Sequence, residues 1–195
     1  MTKTYSTADY PPGLVAVPCQ DWMWTESSNS FMALTQGIPP GSSICFGRQS
    51  SSPASNRNHM TRTFLAEKTW KWILFIDSDM VVPRETVVRL LSHNVDCISA
   101  TYFGRQEPFI PAFAALPTRD ATRNSNPEIQ RVQWVGAGCL LVRRNVIEKI
   151  RDPWWEHPNP GDGEDNPVLR QGQLSRCSCL PRHGIRGRPH DYSRN

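Results

Sequence analysis

Apolar residues occur along this chain in short unbroken runs that alternate with stretches of helical spacing. Leu14 to Cys19 is an apolar run rich in β-formers with Pro18 near its end, which predicts a buried strand. Residues 25–36 carry Phe31, Met32 and Leu34 among polar positions behind Thr25, a fair N-cap, and predict a helix. Gly37-Ile38-Pro39-Pro40-Gly41 stops it. Ser43 to Gly47 reads as a second strand, the Ser-rich stretch Arg48 to Ser55 as a loop, and a helix follows with Met60, Phe64 and Leu65 on one face. Trp70 to Asp79 is the strongest strand signal, an apolar run that ends abruptly in Asp77-Ser78-Asp79. Pro83 opens a helix with Val87, Val88, Leu90 and Leu91 turned inward, ending near His93 and Asn94.

Further strands are predicted over Asp96–Phe103, at a sheet edge over Phe109–Leu116 because of Pro111 and Pro117, and over Val132–Arg143, broken at Gly136 and Gly138. Residues 118–130 read as a polar surface loop, and Val146 to Ile150 begins a short helix. Strands alternating with helices indicate an α/β fold with a mostly parallel, Rossmann-type mixed sheet flanked by helices. After Gly172 this pattern stops. Residues 13–170 therefore form the expected domain, and 171–195 a basic tail in loop or disordered form.

Length, composition and charge refine the picture. The 195 residues suffice for one domain with its own core, and 38% hydrophobic against 21% charged residues fits a folded protein. The run Trp72–Ile76 is cut by Asp77, so no segment spans a bilayer, and residues 1–12 lack an apolar stretch of signal-peptide length. A cytoplasmic protein is expected, with a basic tail able to touch an anionic membrane surface. The net charge of +4 resides in that tail: residues 170–195 hold six Arg against Asp191, leaving the body near neutral. That distribution argues against a nucleic-acid-binding face on the domain. Cys19, Cys45, Cys97 and Cys139 lie in or beside apolar runs and read as buried free thiols.

The chemistry is expected at strand ends, because open α/β sheets bind ligands beyond their carboxyl edges. The third strand delivers Asp77 and Asp79 there. In extended geometry, positions i and i+2 point the same way, so the two carboxylates would converge on one ligand. Hard oxygen donors of this kind suit Mg²⁺ or Mn²⁺ shared with substrate phosphates. A second acidic group, Gly163-Glu164-Asp165, follows Trp154-Trp155, and a carboxylate held near aromatic rings can act as a general base.

These motifs occur in a telling order: Leu14–Cys19, Asn56-Arg57-Asn58, Leu74–Asp79, Gly136–Arg144 and Gly163-Glu164-Asp165. The combination resembles the family 2-like glycosyltransferases of the nucleotide-diphospho-sugar transferase (GT-A) fold, over roughly residues 13–170. The resemblance implies metal-dependent transfer of a sugar from a UDP- or GDP-sugar to an acceptor hydroxyl on a glycan, lipid or protein, with inversion. By the same resemblance Asp79 holds the divalent metal, and Asp77, with Ser78 beside it, lies near the ribose or diphosphate. Pro18 and Gln20 cradle the nucleotide, and Arg57 meets the base or a phosphate. Gly136 and Gly138 let backbone approach donor or acceptor, Asp165 is the base with Glu164 in support, and one of Trp154 and Trp155 stacks on the acceptor sugar.

The chain departs from the family pattern after its Glu-Asp motif. Pro167 and Gly172 cut short the expected helix, and the Arg-rich remainder reads as a shortened variant or a frameshifted end. Two other readings follow from this departure. One is a nucleotide-sugar-binding remnant without turnover. The other is a basic nucleic-acid-binding protein whose tail holds zinc through Cys177, Cys179, His183 and His190, against which the one-residue Cys spacing counts.

Overall fold

The computed structural model of the protein describes residues 5–19, 22–47, 52–102, 113–115, 129–156, 168–169 and 177–180. The first strand, β1 (Leu14–Pro18), is followed by α1 (Thr25–Leu34), β2 (Ser43–Gly47), α2 (Pro53–Ala66) and β3 (Trp72–Ile76). Next come α3 (Thr86–Ser92), β4 (Cys97–Ala100), β5 (Phe113–Ala115), β6 (Gln130–Val135), β7 (Cys139–Arg143) and α4 (Arg144–Ile147). Three short strands follow among the described residues: β8 (Trp155–Glu156), β9 (Val168–Leu169) and β10 (Cys177–Leu180). Eight strands form one sheet in the order β2-β1-β3-β7-β4-β10-β6-β5, and β8 pairs with β9 separately. β1 runs parallel to β2 and β3, β7 runs antiparallel to β3 and β4, and β10 runs parallel to β4. The expected α/β sheet with flanking helices is the observed fold.

The order of the first three strands decides where a ligand can sit. The chain leaves β1 through α1 to β2, then returns through α2 to β3 on the other flank of β1. Crossovers in opposite directions place α1 and α2 on opposite faces of the sheet. The core accordingly has two halves. Leu14, Ala16, Ile73 and Phe75 pack against Met60 and Phe64 of α2. Val15, Val17, Leu74 and Ile76 pack with Phe31 and Leu34 of α1 and with Val87, Leu90 and Leu91 of α3. Both faces of β1 and β3 are covered, which is why these strands read as unbroken apolar runs. The crevice beyond their carboxyl ends, at the point where strand order reverses, is the natural binding position.

Several local expectations shift. Helix α2 starts at Pro53 inside the stretch read as a loop, because the Ser52 side chain accepts a hydrogen bond from the Ser55 N–H and Pro53 stands at the first helical position. Thr25 opens α1 rather than capping it; Trp24 is the cap residue. The single broken strand over Val132–Arg143 is two strands, β6 and β7, separated in the sheet by β4 and β10. Cys97 is disulfide-bonded rather than free, and its register partner is Cys177 of β10. Cys19, Cys45 and Cys139 form no disulfide, as expected, but only Cys139 is buried; Cys19 and Cys45 are half-buried, and partial burial beside Cys19 pushes the Cys45 thiol up. The predicted loop over 118–130 falls largely outside the described residues.

The tail needs the largest revision. Residues 177–180, read as loop, form a strand bonded on both sides, parallel to β4 and antiparallel to β6. The sheet thus draws on chain beyond residue 170. Deleting residues 170–195 is expected to lower the melting temperature by about 10 °C or more, since it unpairs an edge of both β4 and β6. Thermal unfolding followed by circular dichroism checks this, and an unchanged melting temperature would make the strand dispensable.

Candidate active site at the carboxyl edge of the sheet

The third strand ends at Ile76, and its last residue pairs with Cys139. Asp77 continues this pairing by one bond, its N–H donating to the Gly138 carbonyl at 3.0 Å. The chain then turns: the Met80 N–H donates back to the Asp77 carbonyl at 3.0 Å. Asp77, Ser78 and Asp79 therefore lie in a turn rather than in extended backbone. The alternation argument for converging carboxylates stops at Ile76, and any convergence of Asp77 with Asp79 has to come from the turn. All three residues are half-buried at the edge.

Asp77 is oriented from below by Arg57. This arginine sits in α2 and is only 3% exposed. Its Nη2 donates to Asp77 Oδ1 at 2.5 Å, while the Asp77 side chain remains 38% exposed. A guanidinium this deep needs a counter-charge, because burying an unpaired ion costs several kcal/mol. Its Nε and Nη1 have no hydrogen-bond partner among the described residues, and the cation lies 5.6 Å from the Trp155 ring centre. The π face supplies part of the missing stabilisation. The result is a half-exposed carboxylate with one oxygen committed to Arg57 and the other lying beside Gly138, at the carboxyl end of β3.

Asn58, which follows Arg57 in the motif Asn56-Arg57-Asn58, is structural. The Asn58 Nδ2 donates to the Trp155 carbonyl at 2.8 Å, and the Trp155 N–H donates to Asn58 Oδ1 at 3.0 Å. This reciprocal pair fixes β8 against α2. Trp155 is 2% exposed, meets Phe75 edge-on at 4.7 Å and donates its Nε1–H to Thr61 at 3.2 Å. Trp154 is 7% exposed and donates its Nε1–H to the Ile147 carbonyl. Neither indole offers a face to an acceptor sugar, so the stacking role expected for one of them is corrected: both belong to the core. Their polar N–H groups find partners inside, which permits the burial.

Gly138 also departs from expectation. A Cβ built there would lie 2.8 Å from Tyr102 Cζ, 2.9 Å from its hydroxyl and 3.1 Å from Asp77 Oδ2. The space that a glycine leaves open is filled by the Tyr102 phenol instead of by donor or acceptor. The Gly138 N–H donates to the Tyr102 hydroxyl at 2.8 Å. Tyr102, read only as part of the fourth strand, is the neighbour of Asp77 that the sequence did not reveal. Burial, reinforced by the Asp77 charge, pushes its ionisation well above the ordinary phenol range, so it stays a neutral hydroxyl. Gly136 is buried just before this turn.

Pro18 closes β1 at the same edge, in register with Gly47, and the Cys19 N–H donates to the Gly47 carbonyl. Gln20, Glu164 and Asp165 lie outside the described residues, as do His183 and His190. Among the described residues no group of three or more His, Cys, Asp or Glu forms a metal cage. A Mg²⁺ or Mn²⁺ held by one or two carboxylates and completed by substrate phosphates needs no such cage. The Asp77–Asp79 turn, all hard oxygen donors on an open edge, fits that mode.

No protein-family profile and no curated protein sequence matches the chain. Solved structures do resemble it. One is A197 from STIV, at TM-score 0.58 and 19% identity, covering 87% of this chain and 81% of that one. Another is GalNAc-T7 with UDP, GalNAc and Mn²⁺, at TM-score 0.58 and 9% identity; the match covers 88% of this chain but 42% of that protein. At such identities the likeness establishes a GT-A-like fold. Among the described residues, no helix is long and apolar enough to cross a membrane.

Proposed function

We propose that this protein transfers a sugar from a nucleotide-diphosphate donor to an acceptor hydroxyl. The observation that carries this reading is the Arg57–Asp77 pair: a buried guanidinium orients a half-exposed carboxylate at the switch point between β1 and β3. The resemblance of the motif order to family 2-like glycosyltransferases supports it, as does the likeness in fold to a protein solved with UDP, GalNAc and Mn²⁺. In this reading Asp77 receives the ribose or diphosphate, Asp79 faces the divalent metal, and Pro18 and Gln20 border the nucleotide. A bound Mn²⁺ or Mg²⁺ would offset charge developing on the leaving diphosphate. Asp165, supported by Glu164, would take the proton from the acceptor hydroxyl, giving inversion.

The test is calorimetric titration of the purified protein with UDP and with GDP, each with and without Mn²⁺. One nucleotide is expected to bind, at least tenfold more tightly with the metal. Asp79→Ala is expected to bind it no better with Mn²⁺ than without. Absence of binding by either nucleotide would overturn the reading.

A further inference from the structure

The turn between β6 and β7 is fastened from two strands at once. Gly138 gives its carbonyl to the Asp77 N–H at the end of β3 and its N–H to the Tyr102 hydroxyl beyond the end of β4. β7 lies between those two strands, with Ile76 paired to Cys139 and Ser99 paired to Leu140. Ser99 adds a third tie, its hydroxyl donating to the Cys139 carbonyl at 3.1 Å. Only a residue without Cβ allows this arrangement, since the phenol ring packs directly on the α-carbon of Gly138. The same position lies beside Asp77 Oδ2, the oxygen not engaged by Arg57.

We infer that Tyr102 is a positioning residue for the donor site: its hydroxyl clamps Gly138 so that the Gly138 carbonyl holds the Asp77 backbone and Asp77 keeps one carboxylate oxygen on Arg57 and presents the other. This inference rests on the nucleotide-sugar reading of the same site. The phenol oxygen acts here as an acceptor from a backbone N–H. Phe at this position keeps the ring and loses the acceptor, leaving the Gly138 N–H buried without a partner. The Gly138 carbonyl that anchors the Asp77 backbone is then held less firmly, with no atom of Asp77 lost.

Tyr102→Phe and Gly138→Ala test this from both sides of the clamp. Amide exchange measured by NMR on the full chain is expected to be at least about a hundredfold faster at Gly138 in Tyr102→Phe. Amides of Val15 and Leu74 are expected to speed up by no more than about tenfold. The Kd for UDP or GDP with Mn²⁺, whichever the wild type takes, is expected to rise about tenfold in each variant. The unpaired Gly138 N–H is expected to lower the melting temperature of Tyr102→Phe by roughly 2–6 °C, and the far larger change in exchange at Gly138 than at Val15 and Leu74 separates positioning from general support. Because both substitutions break one clamp, Tyr102→Phe combined with Gly138→Ala is expected to bind no worse than the weaker-binding single variant.

Wild-type binding with an unchanged Kd in Tyr102→Phe and Gly138→Ala would overturn the inference and leave the nucleotide-sugar reading standing. Losses that multiply in the double variant would overturn it also. Failure of the wild type itself to bind UDP or GDP would defeat the nucleotide-sugar reading, and the positioning role with it.

Discussion

Asp77→Ala is expected to lose metal-dependent nucleotide binding by about a hundredfold or more and to lower stability by about 1–3 kcal/mol, the cost of stranding the buried Arg57 charge being moderated because water can reach it through the half-exposed place that Asp77 leaves. Both effects come from the same pair. The substitution removes the carboxylate from the crevice and strands the Arg57 guanidinium, which is 3% exposed and has no other carboxylate partner among the described ion pairs. The double variant Arg57→Met with Asp77→Ala separates the two effects. Removing both partners deletes the buried charge, and Met fills much of the space of the arginine stem against Trp155, so stability is expected to return to within about 1 kcal/mol of the wild type. Binding should not return. Urea unfolding and calorimetry on the three proteins check this. If the double variant recovers nucleotide binding together with stability, Asp77 serves the fold alone.

Trp155→Ala is expected to cost about 3–5 kcal/mol and to lower the melting temperature by roughly 10 °C or more. The indole fills the space between α2 and β3, touching Phe75, Arg57 and Thr61. Its removal opens a cavity, deprives Thr61 of a hydrogen-bond donor and takes the π face from Arg57. Trp155→Phe keeps the ring contact with Phe75 and is expected to lose less than half as much. A Trp155→Ala protein of wild-type stability with weakened acceptor turnover would instead restore the stacking role for this residue. Thermal unfolding measured beside a transfer assay decides between the two.

These two expectations differ in how far the sequence foreshadows them. Asp77 stands at the end of the clearest apolar run in the chain, so its place at a strand terminus follows from local pattern. Trp154-Trp155 beside an acidic motif looks like a sugar platform, and only the reciprocal bonds to Asn58, 97 residues earlier, show that Trp155 is held inside. Cys177–Leu180 is too short a run, within an Arg-rich stretch of few apolar residues, to be read as a strand in isolation, and only its pairing with β4 and β6 makes it one.

What the sequence by itself determined are the elements whose burial is continuous: β1, β3 and α3, their apolar faces, the α/β class, and the carboxylates at the end of β3. Periodicity carries that information because each residue's burial depends on a repeat only two to four positions long. What tertiary structure alone decided are the partnerships: Arg57 with Asp77, Tyr102 with Gly138, Asn58 with Trp155, and β10 between β4 and β6. Each joins residues 20 to 97 positions apart, or strands far from one another along the chain. Such contacts form because a buried charge or polar group must find a partner, and which partner it finds depends on how strands are ordered in the sheet. Local pattern does not encode that order.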